Sequence, residues 1–297
     1  MSPSRVSLRV PATSANLGPG FDCLGLALDL WADATLEAHD GPAPGPRDPM
    51  LQMVLFAAHA YFGAYGPAAP PGLTVAWRGG FPVARGLGAS AAARAAGLAG
   101  ASVLAGRPLD VEELLPLGAE LEGHADNMAP ALLGGLQVAV REEKGHVTHV
   151  AVPVPPGLKV VLMVPEQTMP TNESRRLLGT EVPREDAVYN VGRVALLVAA
   201  LAAGRLDLLA TACDDRLHQP ARSKLLPAMG PVIAAARRAG AECAYLSGGG
   251  STIAAWTVRN EDAVAAAMLA AAKAAGCPGE TMMTRPSDRG IEIVSAE

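Results

Sequence analysis

A glycine loop that runs straight into a helix is the first feature of this 297-residue chain with a chemical reading. Pro82-Val-Ala-Arg-Gly-Leu-Gly-Ala-Ser-Ala-Ala92 sets Gly86 and Gly88 just ahead of an alanine-rich run. The free N–H groups of a first helical turn point into such a loop, and the helix dipole favours an anion there. Glycines let the backbone approach a phosphate with no side chain between, and Ser90 adds a hydroxyl for phosphate or metal. On glycines alone, an ordinary loop-to-helix join fits as well.

Three more segments carry polar groups in compact runs. Pro11–Gly25 packs turn formers around Asn16 and Asp22, which suits either one polar ligand or a plain Asx-turn. Glu120-Leu-Glu-Gly-His-Ala-Asp-Asn127 ends a helix in carboxylates, hard oxygen donors of the kind Mg²⁺ takes, with Glu120 and Glu122 as candidates. His124 has no second histidine beside it, which argues against a transition metal. Ser247-Gly-Gly-Gly-Ser-Thr252 is a glycine turn between two strand-like runs, either a second phosphate loop or a simple hairpin.

In order and spacing the four segments resemble the GHMP kinase superfamily and, within it, the homoserine kinases. Pro82–Ala92 is similar to the second superfamily motif, Pro-x-x-x-Gly-Leu-Gly-Ser-Ser-Ala-Ala, and Ser247–Thr252 to the third, Ser-Gly-x-Gly-Pro-Thr. The likeness to homoserine kinases rests on Pro11–Gly25, Glu122–Gly135, Thr171–Arg175 and Asp215–Arg222. It spans about residues 5 to 256.

The resemblance implies ATP-dependent phosphorylation of the L-homoserine hydroxyl, on the way to threonine. It implies that Pro82, Val83, Ala84, Arg85, Gly86, Leu87, Gly88, Ala89, Ser90, Ala91 and Ala92 surround the ATP phosphates, with Gly248 and Gly249 from the third motif. Ser90 and Glu122 would hold Mg²⁺, with Glu120 the fallback. A zwitterionic substrate needs an acidic and a basic clamp, so Asn16 and Asp22 would take the ammonium and polar end. Arg175 and Arg222 would take the carboxylate, where a forked guanidinium outperforms a point charge. The catalytic position falls on Asn127, which is no useful base; Asp126 is next to it. Phosphoryl transfer depends mostly on positioning and charge stabilisation, so attack without a strong base is expected. A homodimer is what the family suggests.

Ala89 stands where the motif has its first serine, and Gly249 and Ser251 replace the small residue and proline of the third motif. That predicts a looser turn at 247–252. Asp48–Met53 lacks an asparagine often found near the adenine.

The elements that must position these residues are legible by pattern. Strands are expected at Arg5–Pro11, Leu24–Leu30, Ala34–Ala38, Leu73–Trp77, Leu136–Arg141, Val147–Val152, Leu158–Val164, Cys243–Ser247, Thr252–Trp256 and Ile291–Val294. Helices are expected at Met50–Phe62, Ala89–Leu104, Val111–Leu121, Tyr189–Ala203, Arg205–Asp214, Pro231–Ala239 and Asp262–Ala275. The Ala89–Leu104 run has almost no polar face and should be buried nearly all round. Strands and helices mix without βαβ alternation, so a two-domain α+β fold is expected. Its boundary is Pro153–Pro156, giving units 1–154 and 155–297. The resemblance casts these as a ribosomal-protein-S5-domain-2-like unit and a ferredoxin-like unit, with the ATP site between them.

Composition excludes other classes. Acids outnumber bases, 29 to 24, and no basic patch forms, which argues against nucleic acid or an anionic membrane. Four scattered cysteines without a CxxC oppose zinc or a disulfide framework and suit a reducing compartment. The longest apolar runs are about half a membrane span, and no Gly-Lys-Ser/Thr exists for a Walker-type loop. A soluble cytoplasmic enzyme is the expectation.

Overall fold

A computed structural model describes residues 2–297, the side chain of Thr171 excepted. Its strands are β1 (Arg5–Ala15), β2 (Leu24–His39), β3 (Gly72–Arg78), β4 (Leu136–Arg141), β5 (Val147–Val152), β6 (Lys159–Pro165), β7 (Cys243–Leu246), β8 (Ile253–Thr257), β9 (Gly279–Thr284) and β10 (Glu292–Ala296). Among the described residues these form two antiparallel sheets. The first has the order β10-β1-β2-β4-β5, with β3 also on β2, and the second β7-β8-β6-β9. The fold is two-domain α+β, as expected.

Two expectations need correction. The expected strands Leu24–Leu30 and Ala34–Ala38 are one strand, β2, whose pairing with β1 jumps at Pro11/Ala12 from Trp31 to Leu28. The irregularity absorbs the break in alternation that made one strand read as two. The 155–297 unit is not self-contained either, because β10 crosses back to pair with β1 in the first sheet.

Packing follows the two-residue period of the strands. In β6, Val160, Leu162 and Val164 enter a core shared with the first sheet. Val161 and Met163 face a second core beneath the helices Met229–Arg238 and Glu261–Ala274. The helix that follows the glycine loop, Ala89–Leu104, is buried over almost its whole length. Small residues are required there: a Cβ on Gly97 would lie 2.2 Å from the Val54 carbonyl of the helix Pro49–Ala64.

Local rules missed four short elements: the helices Met128–Leu133, Thr171–Arg176 and Gln219–Arg222, and strand β9. The expected helix Arg205–Asp214 is a 3₁₀ turn, Leu206–Leu208, leading into Leu209–Ala212. No helix among the described residues is long and apolar enough to cross a membrane.

Candidate active site

Between the sheets lies a cavity of about 250 Å³ that gathers residues from all four polar segments. The helix Ala89–Leu104 begins at its wall. Its N-cap, Gly88, is left-handed at φ +69°, and no side chain caps the first turn. The helices Pro49–Ala64 and Val111–Glu122 are capped instead by Asp48 and Asp110. The first-turn N–H groups of the helix Ala89–Leu104 have no helical acceptor, and its first residues, Ala89 and Ser90, line the cavity.

The loop is held on both sides. Thr13 N donates to Leu87 O at 3.1 Å from β1. From the other side Ser247 Oγ donates to Gly86 O at 2.7 Å, and Thr252 N to Arg85 O at 3.0 Å. The turn 247–252 is not loose as its sequence suggested. Ser251 is fully buried, its hydroxyl donates to Gln167 O at 2.5 Å, and Gly248 N donates to Ala15 O at 3.0 Å. A hydroxyl bonded to the bend that follows β6 takes over the stiffening expected of proline.

Within Pro82–Ala92, the residues Val83, Ala84, Gly86, Leu87, Gly88, Ala89 and Ser90 line the cavity. Pro82, Arg85, Ala91 and Ala92 do not. Arg85 turns away, its guanidinium donating to Pro165 O at 2.8 Å and Glu166 O at 2.6 Å, so it ties the loop to the end of β6. Ala91 and Ala92 are buried in the helix. Gly248 and Gly249 both reach the cavity.

At the helix start Ser90 Oγ donates to Glu122 Oε1, and Arg94 Nη1 to Glu122 Oε2. Glu120 is exposed and off the cavity lining. His124 Nδ1 donates to Asp126 Oδ1 at 2.5 Å. Burial works against the imidazolium, but the bond to Asp126 and the nearby carboxylates outweigh it and lift the His124 pKa above its ordinary value.

Asn127 is held from two directions. Thr13 Oγ1 donates to its Oδ1 at 2.7 Å, while its Nδ2 donates to Asp126 Oδ1 at 3.2 Å. Turning the amide over would set its oxygen against the Asp126 carboxylate. Asn127 therefore offers an N–H, and its oxygen is already taken.

The opposite end is cationic. Arg175 forks onto Asp22, Nη1 to Oδ2 at 3.0 Å and Nη2 to Oδ1 at 2.5 Å. Arg222 is 1% exposed and, among the described residues, has no carboxylate within 4.0 Å. Its Nη1 donates to His218 Nδ1 at 2.8 Å and Gly248 O at 3.1 Å, while its Nε has no partner. Burial, then the neighbouring Arg175 charge, brings its pKa down to about 10, so it stays cationic at neutral pH. His218 is buried and its pKa is lowered by desolvation. The neutral ring donates from Nε2 to Gly18 O at 2.7 Å and leaves Nδ1 to accept from Arg222. The Phe21 ring sits 5.5 Å from both guanidinium carbons.

Asn16 reaches the cavity but is largely committed to the fold. Its Nδ2 donates to Gly248 O at 3.0 Å, and its Oδ1 accepts from Asp22 N at 3.0 Å. These bonds also hold Asp22 in place beside the cavity. Sequence reasoning missed Thr13, Arg94, Phe21, His218 and the cavity-lining Met50, Met53 and Pro170. Thr13 and Phe21 lay inside a segment already singled out; Arg94 was visible only as a lone charge in an alanine run.

The GHMP kinases N terminal domain model matches residues 52–135, and the GHMP kinases C terminal model matches residues 197–276. A homoserine kinase of Moorella thermoacetica is 40% identical over 97% of this chain and 99% of its own length. One from Thermus thermophilus is 41% identical over 93% and 94%. The crystal structure of homoserine kinase from Cytophaga hutchinsonii superposes with a TM-score of 0.87 at 28% identity, covering 98% of each chain. Mevalonate kinase of L. major, at 18% identity and a TM-score of 0.67, shares the fold.

Proposed function

Because this chain belongs to the GHMP kinase family, and within it to the homoserine kinases, we propose that it transfers the γ-phosphoryl group of ATP to the hydroxyl of L-homoserine. The observation that carries the substrate reading is Arg222, a buried cation at the cavity that, among the described residues, lacks a directly paired anion. The carboxylate of an amino acid supplies that anion. Asp22 takes the ammonium, and Arg175, now sharing Asp22 with it, contributes its fork to the carboxylate. A zwitterion in this place satisfies all three charges, whereas mevalonate brings no ammonium for Asp22.

The phosphates lie on the uncapped turn at Gly88–Ala91, where free N–H groups and the helix dipole receive them. The base extends toward an adjoining hollow of about 540 Å³ whose lining includes Trp77, Phe81 and Leu51. Met50 and Val83 border both spaces.

Ser90 and Glu122 fit Mg²⁺: a hydroxyl and a carboxylate stand together beside the phosphate turn, and this metal keeps phosphate and water oxygens as its remaining ligands. Bound there, it would neutralise phosphate charge.

The substrate hydroxyl needs placement in line with phosphorus more than a base, since the transition state is loose. Asn127 cannot take the proton but can hold an oxygen with its free N–H. Thr13 fixes that N–H by occupying the amide oxygen. Thr13→Val keeps the shape and removes the bond, so kcat should drop about tenfold with the KM for ATP nearly unchanged. Thr13→Ser should restore it. Equal kcat in Thr13→Val would remove Thr13 from the mechanism.

The function is tested by ADP release with MgATP and L-homoserine beside L-threonine, L-serine and mevalonate. Turnover is expected with L-homoserine above the other three. Folded protein that binds ATP but turns over none of them would refute the assignment. The product, O-phospho-L-homoserine, belongs to threonine synthesis, and the chemistry suits the cytoplasm.

A further inference from the structure

On the phosphate-loop helix, Arg94 lies four residues beyond Ser90, about one turn along the same face. Glu122 is the last residue of its own helix, Val111–Glu122, and its side chain is 8% exposed. A carboxylate is poorly placed there twice over: the dipole is negative at a helix C-terminus, and burial strips away water. Arg94, itself 20% exposed, answers both by pairing with Oε2 while Ser90 takes Oε1. The two oxygens of Glu122 are thus committed within the protein.

That pairing has a consequence for any cation. A dication approaching Glu122 meets a carboxylate already balanced by a guanidinium, and the net pull of the pair is small. Further acidic help is lacking: among the described residues, no group of three or more His, Cys, Asp or Glu gathers at a metal-binding spacing. His124 Nε2 lies 4.0 Å from Glu122 Oε1 and is the only other titratable group paired with it among the described residues. The missing negative charge has one source in the reaction, the nucleotide phosphates.

We infer that Arg94 makes the divalent-cation site conditional on nucleotide: with Arg94 in place, Ser90 and Glu122 bind the ion only when phosphate oxygens complete its shell. The metal then enters with ATP, and bare enzyme does not hold it. This rests on Ser90 and Glu122 being the metal pair, a reading the experiment tests separately.

Mn²⁺ is titrated into nucleotide-free, full-length protein near neutral pH, and free ion is read by electron paramagnetic resonance. Arg94→Gln keeps an N–H for Oε2 and drops the charge. It should bind Mn²⁺ about tenfold more tightly than the parent protein, or better. Arg94→Lys keeps the charge and should match the parent. Arg94→Met gives a second uncharged variant in case Arg94→Gln does not fold. Equal affinity in the parent and the uncharged variants overturns the role of Arg94. The double variant Arg94→Gln/Glu122→Gln should lose the gain; a gain that survives without Glu122 overturns the metal pair itself.

Discussion

Replacing Arg222 with methionine is expected to lower kcat/KM for L-homoserine by about 10²–10³-fold, with the KM for ATP almost unmoved. Methionine fills most of the same buried volume, so the change is mainly one of charge. Truncating one partner of a buried, hydrogen-bonded charge pair costs about 2–5 kcal/mol, and each 1.4 kcal/mol is about tenfold. Arg222 sits at the strong end of that range because its other contacts are neutral: the His218 ring, the Gly248 carbonyl and the Phe21 face. Arg175 does not make up for the lost charge, since its one guanidinium already serves both Asp22 and the carboxylate. Arg222→Lys should recover only part of the loss, because an ammonium cannot reach His218, Gly248 and a carboxylate together. The pH dependence has a definite sign. Only the cation binds the carboxylate, so with a pKa of about 10 in the free enzyme, homoserine affinity should hold at neutral pH and fall as pH rises past that value. Steady-state kinetics with both substrates varied decide the matter. A homoserine KM and kcat within about threefold of the parent, in a variant with an unchanged circular dichroism spectrum, would assign the carboxylate to another residue.

The parts of this site legible in the sequence were those carried by short runs. Gly86, Gly88 and Ser90 announce a glycine turn opening a helix because the geometry they permit is local. The helix behind them was bounded correctly at Ala89 and Leu104, because an unbroken alanine-rich run has one good conformation. What sequence reading lost depends on apposition between distant segments. Thr13 and Asn127 are 114 residues apart, and neither says that one orients the other. Arg94 looks like a solubilising charge until Glu122 is brought against it across two helices. Asn16 looked free to bind substrate because its partners, Asp22 N and Gly248 O, are a backbone amide and a carbonyl from separate motifs. Strand β10 read correctly as a strand but not as a member of the first sheet, since pairing across almost the whole chain leaves no local trace. Met128–Leu133 was lost because a six-residue helix with Pro130 inside has neither length nor periodicity.

A methyl group at Gly88 is expected to do more damage than the loss of the Thr13–Asn127 hydrogen bond alone. Gly88 is at φ +69°, and a Cβ there would lie 1.8 Å from Thr13 Oγ1 and 3.0 Å from Asn127 Oδ1. Gly88→Ala therefore costs about 1–2 kcal/mol for a left-handed alanine and a further ~1–3 kcal/mol for overpacking. Relief requires either Thr13 or the loop to move. Movement of Thr13 breaks its bond to Asn127 and its hold on Leu87 O. Movement of the loop takes the first-turn N–H groups off the phosphates. Both routes damage positioning, where a displacement near 1 Å is worth about a hundredfold, so kcat/KM for ATP should fall by about 10²-fold. Gly145→Ala supplies the control. It has the same backbone penalty, at φ +80°, but nothing lies within 4 Å of its Cβ, and it is in the turn joining β4 and β5. Its thermal midpoint should drop by a few degrees, with kinetics close to the parent. If Gly88→Ala loses only what Gly145→Ala loses, then Thr13 and the loop can part without consequence, and the phosphate turn is not held from β1 in the way its contacts indicate.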